Sequence, residues 1–149
     1  MTKDGTKHKL IWYGTLLFTF GILTQLVIYF AINPRMALSA HIVALMSGTF
    51  LILLGFLWEE MDLPGSMPKV AYWLFLYSTY SSWGSMFLAS LFGTSRSTPF
   101  ASKGITGASG WQENVVDFAY LSFFVTIVLT CLMALWGLRR GALRKVSSR

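Results

Sequence analysis

The residue best placed to do chemistry is His41. It lies in the run Asn33-Pro34-Arg35-Met36-Ala37-Leu38-Ser39-Ala40-His41-Ile42-Val43-Ala44-Leu45-Met46-Ser47-Gly48, inside an otherwise apolar, membrane-length segment. Ionisable side chains are rare at such depth, and a neutral imidazole is the commonest metal ligand among side chains. Asn33 is a good N-cap and Pro34 a good first helical residue. At ~1.5 Å per residue, His41 then lies ~11 Å below that helix end. Ala37, Ala44, Gly48 and Gly55 fall on roughly the same face as His41. A flat face of this kind has two explanations: close approach of a neighbouring helix, or room for a flat prosthetic group. The histidine itself could equally be a hydrogen-bonded residue inside a bundle. His8, between Lys7 and Lys9 in a polar tail, reads as solvated, so two histidines on one metal are not expected within one chain. A single imidazole binds a free divalent ion weakly but suffices as the proximal ligand of haem, whose porphyrin supplies the other four nitrogens. Haem is therefore the metal cofactor that this sequence could hold.

A second polar surface follows in the third apolar stretch. Tyr77, Ser81 and Ser85 recur every four residues, with Ser78, Tyr80, Ser82 and Gly84 beside them and Trp73 one turn earlier. Such a stripe is costly against lipid and should face the interior, as interhelical hydrogen bonds, as the wall of a cavity for a small aromatic molecule, or as both. The segment Gly93 to Gly110 spans 18 residues rich in Gly, Ser and Thr, longer than ordinary connections, and reads either as a lid or as a connector. Ser109-Gly110-Trp111-Gln112 has the form of a capping box. Beyond it Glu113 and Asp117 lie one turn apart, with Tyr120 three residues on. Asp117, the deepest acidic residue, either pairs with Arg35, Arg96 or Lys103 or favours the helix dipole near interfacial water.

The elements that must position these groups are helical. With 149 residues, 54% hydrophobic and 12% charged, the chain has a membrane-protein composition. Four apolar stretches, about Leu10 to Ile32, Pro34 to Trp58, Lys69 to Phe92 and Val115 to Leu138, each reach the ~20 residues that a hydrocarbon core requires. The helix built on the last is expected over 113–138. The expected fold is one all-α integral membrane domain, a four-helix bundle. The first stretch is too long for a signal-peptide h-region and lacks an A-x-A site. Lys3, Lys7, Lys9, Lys69, Arg139, Arg140, Arg144, Lys145 and Arg149 share one side if the termini do, against Arg35, Arg96 and Lys103. Nine against three places both termini in the cytoplasm. Trp12, Tyr13, Trp58, Tyr72, Trp73 and Trp136 gather near that interface as an aromatic belt. The net charge of +6 thus sits mainly at the tails, suited to anionic lipid, and no nucleic-acid module is recognisable. The lone Cys131 excludes an intramolecular disulfide and is expected to pack inside. GxGxxG, P-loop, G-x-S-x-G and H-E-x-x-H motifs are absent, which excludes most soluble-enzyme chemistry.

The run from Asn33 to His41 with Met46-Ser47-Gly48, the Tyr77-Ser78-Thr79-Tyr80 run with Trp83, and Trp111-Gln112-Glu113 resemble the hydroxylaminobenzene mutases, and more distantly the styrene oxide isomerases. The likeness spans nearly the whole chain. It implies an integral membrane isomerase, a homotrimer of the bacterial inner membrane, with ferric haem b held between protomers by His41. Iron would act as a Lewis acid on the oxygen of an apolar aromatic substrate without net redox change. An arylhydroxylamine would give an aminophenol; an aryl epoxide would give an aldehyde. The resemblance further implies that Arg35 neutralises a haem propionate, that Ala37, Ala44 and Gly48 flank the cofactor, and that Tyr77 and Tyr80 hydrogen-bond or protonate the leaving oxygen. This chain departs from the mutases at Ser47 and Ser82, where they carry asparagine, and at Val43, where they tend to carry glutamate. The two serines keep a hydroxyl donor in the catalytic positions. The third-helix aspartate and tyrosine of the epoxide isomerases fall at Ser78 and Met86, which favours the mutase side.

Two readings of another class stay open: a haem protein that carries electrons, and a helical packing protein without cofactor. Electron carriers usually use two axial ligands, and beside His41 the chain offers only the distant methionines Met36, Met46 and Met86.

Overall fold

The computed structural model describes residues 3–105 and 108–147. Thr106 and Gly107 of the long loop, and Arg149 of the charge balance, lie outside them. Among the described residues there are four helices, α1 (Lys3–Val27), α2 (Pro34–Leu57), α3 (Met67–Phe92) and α4 (Gly110–Ser147), and one 3-10 turn, Trp58–Glu60, that continues α2.

The start of α2 follows its local signals. Asn33 is extended, its Oδ1 accepts the Met36 N–H at 3.2 Å, and Pro34 occupies the first turn. α3 ends at Gly93, whose left-handed φ of 68° lets its N–H return to the Ala89 carbonyl. Two helices depart from the apolar stretches that suggested them. α1 begins in the polar tail at Lys3 and ends at Val27, not Ile32, because the Phe30 and Ala31 N–H groups both turn back to the Val27 carbonyl at 3.0 and 2.9 Å. α4 runs to Ser147 rather than Leu138. Its charged last turns are held by Arg140 and Arg144 on Asp62, at 3.9 and 3.4 Å, and by Lys145 on Glu60. On the same end, Lys7 of α1 pairs with Glu59 at 2.9 Å.

α1 and α2 run antiparallel in backbone contact. A Cβ placed on Gly48 would stand 2.7 Å from both the Gly14 carbonyl oxygen and the Phe18 nitrogen, and one on Gly21 would stand 2.9 Å from the Ala44 Cβ. Gly14 and Gly21, like Gly48 and Gly55, are two turns apart, so each helix offers one small-residue stripe to the other. α3 packs on α2, and α4 lies along α3 and touches the 3-10 turn. α3 also reaches α1 directly, so the helices pack as an all-α bundle in which α4 rests mainly on α3 and keeps large apolar side chains such as Phe118, Leu121, Phe124 and Leu135 exposed. Cys131, expected inside, is exposed on this helix.

α1, α2 and α4 are long and apolar enough to cross a membrane. α3 is not in that set despite its 26 residues, because it carries the serine and tyrosine stripe. It is the internal helix instead: Ser78, Thr79, Ser82, Ser85 and Ser90 are all buried. Phe75, Tyr72 and Leu76 join Leu10, Leu51, Leu54 and Trp58 in the core at the end carrying the termini.

Substituting Gly48→Ala should force α1 from α2 and destabilise the protein by about 1–3 kcal/mol, the usual range for overpacking. Gly84→Ala, whose Cβ meets nothing within 4 Å, should leave stability unchanged or raise it slightly. Thermal unfolding in detergent distinguishes them, and equal melting temperatures would refute the backbone contact.

Candidate active site

His41 is half-buried, and its Nδ1 lies 2.7 Å from the Gly21 carbonyl oxygen. A carbonyl can only accept, so Nδ1 carries the proton and donates it. In the neutral ring Nε2 then keeps the lone pair that a metal would take. Second-shell donation of this form is how metal-binding imidazoles are usually oriented. Gly21 permits it by letting α1 come close to α2, since a Cβ there would stand 2.9 Å from the Ala44 Cβ and 3.1 Å from the Leu45 nitrogen.

The small residues around His41 serve helix packing. Ala44 meets Gly21 and Gly48 meets Gly14 and Phe18, which takes up the space considered for a flat group on that face. Ala37 is buried one turn before His41. Arg35 is exposed in the first turn of α2, and its Nη1 donates to the Lys103 carbonyl at 3.3 Å.

The other four candidates lie elsewhere. Ser47 is six residues past His41, roughly 120° around the helix, and its Oγ stands 3.0 Å from Ser82 Oγ on α3. The two positions read from the sequence as paired departures thus meet in space. Ser82 also donates to the Thr79 carbonyl at 2.7 Å, which leaves Ser47 as the donor within the pair. Tyr80 donates to the Tyr13 carbonyl of α1 at 2.8 Å, whereas Tyr77 donates to Ser122 Oγ of α4 at 2.9 Å. Between them opens an apolar groove of about 360 Å³ lined by Tyr13, Leu16, Trp73, Leu76, Tyr77 and Tyr80. One chain therefore brings Ser47 to Ser82 and both tyrosines to one groove, but it does not bring His41 to either.

Much of the α3 stripe is interhelical hydrogen bonding. Besides Ser47–Ser82 and Tyr77–Ser122, Ser78 meets Thr130 of α4 at 2.9 Å, and Trp83 Nε1 donates to Thr24 of α1 at 3.1 Å. Trp83 is sandwiched by Phe20 and Phe87. Sequence reasoning read Tyr13 only as part of the aromatic belt and passed over Gly21, Thr24, Ser122 and Thr130, the other partners in these contacts. Only Gly21 left a trace in the sequence, its two-turn spacing from Gly14.

The long loop is tied down at several points. Glu113 Oε1 accepts the Ser95 N–H at 2.9 Å and its Oε2 the Arg96 N–H at 3.2 Å, while Asp117 pairs with Arg96 and Ser97. Asn33, fully buried, donates to the Ala101 carbonyl and to Ser102 Oγ, both at 3.3 Å, and its N–H to the Ser90 carbonyl at 3.0 Å. The capping-box glutamine behaves as expected, Gln112 Oε1 accepting the Ser109 N–H at 2.7 Å. Among the described residues no group of three or more His, Cys, Asp or Glu converges, so a metal held by several side chains of one chain has no ligand set here.

The styrene oxide isomerase family profile matches residues 6–139, and the chain belongs to that family. It is 35% identical over 139 residues to hydroxylaminobenzene mutase HabB of Ectopseudomonas oleovorans, covering 93% of this chain and 84% of that protein. To hydroxylaminobenzene mutase HabA of the same organism it is 30% identical over 127 residues, covering 85% and 94%. The protein is an isomerase. No solved structure matches it significantly.

Glu113→Ala should release the segment around Ser95 and Arg96, since a carboxylate accepting two backbone N–H groups contributes about 1.5–3 kcal/mol. Trypsin cleavage after Arg96 and Lys103 is expected to accelerate about 10-fold or more. An unchanged cleavage rate would show that Glu113 does not hold the loop.

Proposed function

We propose that the protein is a haem-dependent membrane isomerase that rearranges an arylhydroxylamine to an aminophenol, working as a homo-oligomer, a trimer by resemblance, in the bacterial inner membrane with both termini cytoplasmic. The observation that carries this reading is the donation from His41 Nδ1 to the Gly21 carbonyl, which leaves Nε2 as the one oriented metal-binding atom in an apolar segment. The names of the two mutases support the substrate class.

His41 and Arg35 are the residues that suit haem, whereas Ala44 and Gly48 are taken by the packing of α1. His41 would hold the iron through Nε2, and Arg35, at the end of α2 nearest the polar loop, would neutralise a propionate. When bound, haem would supply a Lewis-acidic iron for the substrate oxygen. The reaction is balanced without an added electron: the N–O bond breaks, a ring carbon–oxygen bond forms, the ring loses a proton and nitrogen gains one. The chain contributes binding, orientation and dryness. The aromatic walls of the Tyr77–Tyr80 groove suit the aryl ring, and for either phenol to donate to a substrate oxygen it would exchange its present acceptor, Ser122 Oγ for Tyr77 or the Tyr13 carbonyl for Tyr80. The hydroxyl pair of Ser47 and Ser82 can pass a hydrogen bond between α2 and α3. An apolar surround keeps water from a cation-like intermediate. Because one chain holds His41 and the groove apart, the complete site requires a second copy, for which the exposed apolar faces of α2 and α4 are available. The family profile also supports an aryl epoxide as the alternative substrate, rearranged to an aldehyde.

Haem-loaded protein should convert phenylhydroxylamine to aminophenol with no reductant present. His41→Ala should lose both the Soret band and turnover. An unaltered band in that variant would remove the ligand assignment, a colourless active preparation would remove haem, and turnover of styrene oxide alone would move the reading to the epoxide.

A further inference from the structure

The end of the molecule that carries the termini holds a cavity unconnected with the residues above. It measures about 340 Å³ and is lined by Thr6, Trp58, Asp62, Leu63, Lys69 and Arg144, among others. Four segments build it: the first turns of α1, the 3-10 turn and its exit, the first turn of α3, and the last turns of α4.

Its charge is unbalanced. Asp62 faces two guanidiniums, Arg144 at 3.4 Å and Arg140 at 3.9 Å, both longer than a tight charge-assisted contact. Lys69 is a second cation of the cavity wall beside Arg144 and takes part in none of the ion pairs found among the described residues. The wall thus carries two cations, Lys69 and Arg144, against one carboxylate that Arg140 also neutralises, which leaves room for an anion. The start of α3, at Pro68 and Lys69, adds the positive end of a 26-residue helix dipole.

The rest of the cavity is apolar, with Trp58 and Met61 buried and Leu63 and Pro68 half-buried. A small inorganic anion has no use for such a floor. The level of the cavity explains it. Trp12, Trp73 and Trp136 are exposed around this end, and the Arg140 guanidinium lies 5.5 Å from the Trp136 ring centroid. Exposed tryptophans mark the headgroup level of a bilayer. We infer that this cavity is a binding site for an anionic glycerophospholipid, its phosphate held by Lys69 and Arg144 and its glycerol and upper acyl carbons resting on Trp58, Leu63 and Pro68. Basic pockets between membrane helices take anionic headgroups in this way.

Native mass spectrometry of the purified full chain in mild detergent, titrated with phosphatidylglycerol or phosphatidylcholine, tests the assignment. Wild-type protein should retain phosphatidylglycerol at a concentration about 10-fold below that needed for phosphatidylcholine. Lys69→Gln, which breaks no ion pair, and Lys69→Gln/Arg144→Gln should remove that preference. Arg139→Gln, an equally basic position outside the cavity, should keep it, and millimolar inorganic phosphate should not displace the lipid. Loss of preference in Arg139→Gln to the same degree would show diffuse charge attraction and overturn the site. Full displacement by phosphate would make it a free-anion site and overturn the lipid. Should the double variant unfold, as circular dichroism would reveal, Lys69→Gln alone decides the outcome.

Discussion

The hydrogen bond from His41 Nδ1 to the Gly21 carbonyl depends on two helices lying close enough for a side chain of one to reach the backbone of the other. Inside lipid no hydrophobic force drives helices together, so such proximity comes from packing of small residues. Gly14, Gly21, Ala44 and Gly48 provide it, and any Cβ at the three glycines would collide with the facing helix. The same stripe that admits α1 thus orients the imidazole, which ties the ligand geometry to the stability of the α1–α2 pair.

α3 shows the complementary constraint. Its polar side chains are too numerous to face lipid, and the structure satisfies them in two ways. Ser78, Thr79, Ser82 and Ser85 donate to carbonyls of their own helix, and Ser78, Ser82, Tyr77, Tyr80 and Trp83 also reach α1, α2 or α4. An internal helix that bonds to all three others sets their rotations, and with them which residues line the groove between Tyr77 and Tyr80. At the loop end Asn33 does similar work, capping α2 while holding α3 and the long connection.

How far the sequence foretold this varies by the range of the interaction involved. The cap at Asn33, the glycine stop at Gly93 and the Gln112 capping contact are local, and each could be read from a few residues. The ends of α1 and α4 could not, since an apolar run measures hydrocarbon thickness, whereas the helices continue on ion pairs to Glu59, Glu60 and Asp62 across more than fifty residues of sequence. His41 stood out by its type, and its partner Gly21 did not, because an acceptor carbonyl has no sequence signature. Tyr77 and Tyr80 were read as one surface; three residues of helix separate them by enough rotation to send one hydroxyl to α4 and the other to α1. Ala44 and Gly48 were open to two uses, and the antiparallel partner helix takes both.

The decisive observation is the protonation pattern of the His41 ring in the haem-free protein, read by nitrogen NMR of chain labelled at histidine, with His8→Gln to remove the second signal. For the neutral ring the account predicts a proton fixed on Nδ1, slow to exchange, with Nε2 bare. A ring protonated on Nε2, or one averaging between both forms as a solvated histidine does, would contradict it.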